Sequence, residues 1–160
     1  MRNHHVMLLA VSAFALTSCN PFRREPVTEV IRDANANARW RAALVTPAAL
    51  AGAVQMNGAA TMQPGANRES TSFSLNIDNA TPGGLHPWQV HRGQCGADEG
   101  VVGSAEAYTA IKVGEKGRGS STATVPMTTP TTGSYFVTVS ASAANPETVV
   151  ACGNLAPPTS

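Results

Sequence analysis

At 160 residues the chain is sized for a single domain once any processed segment is removed. A net charge of +1 with only 13% charged residues excludes the concentrated basic footprint that nucleic-acid binding requires. Aromatics make up 5% of the chain, and its abundant Ala, Gly, Ser, Thr and Val suit short strands and tight turns better than long helices.

The chain opens with "MRNHH", a polar start carrying Arg2, followed by the apolar run Val6 to Leu16. That run has signal-peptide length and is short for a permanent membrane span. "LTSC" (Leu16 to Cys19) resembles a bacterial lipobox: an aliphatic residue, two small residues, then the cysteine that is acylated. Residues 1–18 are therefore expected to be a signal peptide and Cys19 a lipidated mature N-terminus, palmitate included. Two or three acyl chains anchor a protein stably to a membrane. An ordinary secretory signal with a chance cysteine is the alternative. Asn20 does not resemble the inner-membrane retention signal of lipoproteins, so the expected location is the outer membrane, facing periplasm or surface. Residues 19–40 read as the lipidated Cys and its tether. His4 and His5 fall in the discarded segment.

Export implies an oxidising compartment. With Cys19 acylated, Cys95 and Cys152 remain as an even pair and read as one disulfide. Such a bridge stabilises by about 3–5 kcal/mol in the loop-entropy model. Two free thiols or a two-Cys metal site are the alternatives. Export disfavours the first, and neither cysteine has a CxxC partner for the second.

Residues 41–156 form the expected β-domain. "RWRAALVTPAALAGA" (39–53) has partial helical spacing that Thr46-Pro47 interrupts, and a first or edge strand fits equally. Trp40 is expected to dock on the domain as an apolar anchor. "AGAVQMNGAATMQPG" reads as a hairpin turning at Asn57-Gly58. "STSFSLNIDN" (70–79) alternates, with Phe73, Leu75 and Ile77 on one face. "TPGG" turns the chain into "LHPWQVHRGQCG". "AYTAIKVGEKGRGSSTATVPM" reads as a second hairpin turning through Gly114 to Gly119. "GSYFVTVSASA" (133–143) is a further strand, "NP" a break, and "ETVVACGNL" the closing segment. Six to eight short strands with regular turn punctuation predict an all-β sandwich or barrel. Residues 157–160 are expected to fray. "GEKGRG" matches neither phosphate-loop spacing, and "GRGSS" is no nucleophile elbow.

Side chains alternate faces along a strand. His86 shares one face with Trp88 and Val90, which belong in a core, so His86 is expected to point inward as a structural residue with hydrogen-bonded nitrogens. Gln89 and His91 then project together from the other face. Two ligands at i and i+2 grip one metal, but a carboxamide is a poor replacement for imidazole on copper or zinc.

"GLHPWQVHRGQC" (84–95) resembles the copper-binding strand of Cu/Zn superoxide dismutases, Gly-[Leu/Phe]-His-Gly-Phe-His-[Val/Ile]-His followed by a cysteine. "VVACG" (149–153) resembles that family's closing segment, whose cysteine bridges to the first. The resemblance spans roughly Ala51 to Leu155. It implies a Greek-key barrel of about eight short strands, with a disulfide between Cys95 and Cys152. The family's two copper histidines at i and i+2 fall on Gln89 and His91, and its non-ligand histidine on His86. Its late copper histidine should fall at or near Ser140, where none stands. "GADEGVVGSAEAYTA", in the place of the zinc loop, holds no histidine, and Asp98 with Glu99 does not replace a three-His-plus-Asp set. The guiding arginine has no counterpart.

A copper dismutase needs several imidazoles to hold both oxidation states. The residues therefore predict a retained fold without dismutase activity: a non-catalytic envelope module for binding or structure, without a cofactor, joined to the membrane by its lipid. His91 is read as a solvated surface histidine in preference to a copper or zinc ligand. Two alternatives remain at this stage. One is a metal-binding or enzymatic site around His91 with Gln89, Asp98 or Glu99. The other is an unrelated immunoglobulin-like surface module.

Overall fold

The structure is a computed structural model that describes residues 39–158. Except for the last two tether residues, Arg39 and Trp40, the segments expected to be a signal peptide and a tether, with Cys19, lie outside the described residues. Within them the protein is all-β, an eight-stranded antiparallel sheet curled into a half-barrel. The sheet contains β1 (Trp40–Val45), β2 (Asn57–Pro64), β3 (Thr71–Asp78), β5 (Trp88–Gln94), β6 (Ala97–Val101), β8 (Gly119–Val125), β9 (Tyr135–Ser142) and β10 (Asn145–Leu155). Their spatial order is β6-β5-β9-β10-β1-β2-β3-β8. Two short strands, β4 (Leu85–His86) and β7 (Ile111–Lys112), pair separately.

Alternation builds this sheet. In β1 Trp40, Ala42 and Leu44 are buried while Arg41, Ala43 and Val45 point away. In β3 Phe73, Leu75 and Ile77 face the same core. Trp88 and Val90 of β5 meet Val137 and Val139 of β9 there. Both tryptophans carry an N–H into the interior, and each finds a carbonyl: Trp40 Nε1 donates to Pro130 O at 2.9 Å and Trp88 Nε1 to Thr109 O at 2.8 Å. The polar tip of each ring is thus satisfied while its body fills the core.

Four expectations need correction. Asn57-Gly58 makes no turn; both residues sit in β2, paired with Val45 and Leu44 on one side and Asp78 and Ile77 on the other. A Cβ at Gly58 would stand 2.1 Å from the carbonyl oxygen of Asn76. The glycine serves close strand approach, its other common use within a sheet. The Gly114–Gly119 turn does form, with Gly114 N–H donating to Arg118 O at 2.8 Å. Its first arm, β7, nevertheless pairs with β4 instead of β8. The break expected at "NP" falls two residues earlier, at the Ala143-Ala144 turn: β10 starts at Asn145, and its ladder with β9 is irregular up to Ala151. Trp40, assigned above to the end of the tether, is the first residue of β1.

Candidate functional site

The face of the sheet turned away from the core carries a cleft over β5, β9, β10 and β1. Register explains what lines it. Gln89, Thr138, Cys152 and Val45 are successive Cα partners across four strands. His91, Phe136 and Asn154 form the neighbouring row. Directly opposed side chains in such a row stand about 5 Å apart, and diagonal neighbours remain within reach.

His91 projects on the Gln89 side, as strand parity requires, but it is not a solvated surface residue. It is 8% exposed. Phe136 stacks on its ring, with centroids 5.0 Å apart and planes at 24°. The ladder between β5 and β6 shifts register between His91 and Gly93. Gly93 takes φ 97° there, and Ala97 O occupies the place of a Cβ. The irregularity bends β6, as bulges do, and Asp98, the partner of Gly93, leans over His91. Strand alternation alone could not foresee this cover.

Both ring nitrogens of His91 face protein oxygens. Nδ1 lies 3.0 Å from Asp98 Oδ2, within ion-pair distance but off the line of a well-formed hydrogen bond. Nε2 lies 3.2 Å from Thr138 Oγ1. Asp98 is itself oriented, because its Oδ1 accepts the Gly100 N–H at 2.7 Å. That backbone hydrogen bond holds the Asp98 carboxyl below its ordinary value, and His91 acts in the same direction. Thr138 and Phe136 were not singled out in the sequence. The signal available was the position of Thr138, two residues before Ser140 and hence on the same face of β9.

His86 is buried at 9% exposure, and its Nδ1 donates to the Ser140 carbonyl at 3.0 Å. The bond joins β4 to β9, while the other ring nitrogen, Nε2, is buried without a hydrogen-bond partner, so only one of the two expected nitrogen contacts forms. His86 lies across the sheet from His91 by strand parity and does not line the cleft. Cys95 and Cys152 form a disulfide with Cα atoms 6.1 Å apart. It ties the turn between β5 and β6 to β10, beside the cleft. Asn154 strengthens the same joint, its Oδ1 accepting the Cys95 N–H at 2.9 Å.

The donors gathered here do not fit the copper and zinc centres that the resemblance implies. One imidazole, one amide and one hydroxyl occupy the positions nearest the grip, and the imidazole is engaged at both nitrogens. Among the described residues no three His, Cys, Asp or Glu side chains lie together in a way that could hold a metal ion. Comparison with protein-family models and with characterised protein sequences finds no match to this chain.

Proposed function

We propose that the protein is an exported, lipid-anchored module of the bacterial cell envelope, with a superoxide dismutase-like domain that binds through its outer cleft and does not dismutate superoxide. The lipobox "LTSC" at Leu16 to Cys19 supports the anchor, and Asn20 the outer membrane. The two-motif resemblance around Cys95 and Cys152 supports the domain.

The single observation that carries the reading is the state of His91. It is the one imidazole left at the copper grip, and Asp98 and Thr138 hold it. Redox cycling on copper has no ligand set here. The cleft itself remains, lined by polar Gln89 and Thr138 and by apolar side chains that include Val45 and Val149. Mostly apolar concavities with a few convergent polar groups are the usual form of small-molecule sites.

The full chain, loaded with copper, is expected to show no superoxide dismutation above the free-copper background. Turnover that tracks stoichiometric copper and disappears in His91→Ala would overturn the reading. For the anchor, the mature protein is expected to incorporate labelled palmitate at Cys19, and Cys19→Ala to abolish that incorporation.

A further inference from the structure

We propose that Asp98, His91 and Thr138 form a relay that hydrolyses carboxylic esters in the outer cleft. The inference goes beyond the binding-module reading and stands on the geometry of the relay.

Three groups lie in series: a carboxylate 3.0 Å from one imidazole nitrogen, and a hydroxyl 3.2 Å from the other. This is the order orienter, base, nucleophile, at the somewhat loose separations typical before substrate binds. The parts are individually held. Gly100 N–H takes Oδ1 of Asp98, which leaves Oδ2 for His91. The Phe136 ring and burial hold the imidazole plane. Nδ1 lies 3.0 Å from the carboxylate without a well-aligned hydrogen bond, so the relay requires a small turn of the Asp98 carboxylate to take the Nδ1 proton and leave the Nε2 lone pair for the Thr138 hydroxyl. Thr138 lines the cleft and is half-buried.

An oxyanion needs a donor. β9 is hydrogen-bonded to β5 on one side and β10 on the other, so its ladder occupies the backbone N–H groups around Thr138. Gln89 is the cross-strand partner of Thr138 and lines the same cleft, so the relay assigns the donor to its carboxamide N–H. The amide that makes a poor copper ligand is well suited to this task. Val45, Pro47, Pro146 and Val149 wall the cleft, which selects an ester with an apolar acyl chain.

The steps balance without an oxidant or a metal. Thr138 Oγ1 attacks the ester carbonyl carbon while its proton passes to His91 Nε2. The carbon–oxygen bond to the alcohol breaks as the imidazolium protonates the departing oxygen. Water then attacks the acyl-threonine, giving its proton to His91. The acid leaves, and the same proton restores the Thr138 hydroxyl. Asp98 acts as a positioning residue through His91.

The test uses the full chain with p-nitrophenyl butyrate, and separately with an alkyl fluorophosphonate followed by intact-mass and peptide mapping. The expected results are ester turnover and one phosphonyl adduct on Thr138, formed with loss of fluoride. Thr138→Val keeps the side-chain shape and is expected to lose the adduct and at least about 100-fold in turnover. Thr138→Ser is expected to retain both. Asp98→Asn is expected to lower kcat with KM unchanged. No turnover and no adduct in the wild-type chain would overturn the relay, as would undiminished turnover in Thr138→Val. Neither result touches the binding-module reading, which the copper-loaded dismutation assay decides.

Discussion

At the scale of single residues, polar groups in contact with the core are the most constrained, because each needs a partner where water does not reach. Tyr108 shows this. Its ring packs edge-on against Trp88, with centroids 5.1 Å apart, and its hydroxyl donates to Val102 O at 2.6 Å. Burial pushes its pKa from 10.0 up to about 12. A raised folded-state value means that the neutral phenol contributes stability present in full below pH 10. That contribution is lost as the pH rises from 10 toward about 12. Phenolate absorbance of the folded chain should therefore include one late step near pH 12. Tyr108→Phe is expected to cost about 1 kcal/mol at neutral pH through the lost hydrogen bond, and to remove this part of the alkaline destabilisation. Urea titrations at neutral and alkaline pH check both.

His91 shows at the same scale how far parity reasoning reaches. Alternation placed it on the Gln89 face, and it is there. The same reasoning treated that face as solvent, and it is not, because Phe136 and Asp98 arrive from strands distant in sequence or bent by a register shift. A period of two specifies which side of a sheet a residue takes. It carries no information on what covers that side.

At the scale of elements, strands with clean alternation were legible and pairing partners were not. β3 and β9 occur where the apolar spacing puts them. Asn57-Gly58 was misread, since a dipeptide that favours a hairpin turn can also serve two strands that approach closely. β7 was assigned to the wrong partner because a formed turn does not by itself decide which ladder its arm joins. The disulfide belongs to this scale as the link between the β5–β6 turn and β10. It spans a sequence separation of 57, for which the loop-entropy relation gives about 4 kcal/mol. A Cys95→Ser, Cys152→Ser double variant is expected to lose about that much in urea unfolding, and wild-type protein treated with reductant should match it. Because the bridge borders the cleft, the Asp98–His91 contact should loosen as well.

At the scale of the molecule, the two ends of the described chain close on each other. Arg41 N–H donates to Ala156 O at 3.1 Å, and Ala156 N–H to Arg41 O at 2.8 Å. β1 lies between β10 and β2, so the first strand holds the middle of the sheet and its loss would part it in two. Trp40 secures this arrangement through the Pro130 carbonyl and an edge-on contact with Tyr135, centroids 5.6 Å apart. Trp40→Ala is expected to destabilise the fold by about 3–5 kcal/mol, read as a lower urea midpoint. Trp40→Phe should recover most of the packing and lack the hydrogen bond.

By itself the amino-acid sequence determined the all-β class, the inward faces of the principal strands and the two cysteines that join. These follow from composition and short-range alternation, and the cysteine pairing from the expectation that the chain is exported and Cys19 acylated, which leaves two cysteines. Only the tertiary structure decided that β1 sits mid-sheet, that β6 bends over β5, and that Asp98, His91 and Thr138 converge. Those three residues lie on three strands, and the distances among them depend on ladder register and on the bulge that places Glu99 and Gly100 of β6 opposite Arg92. Register is a property of paired strands, so no single strand's pattern contains it.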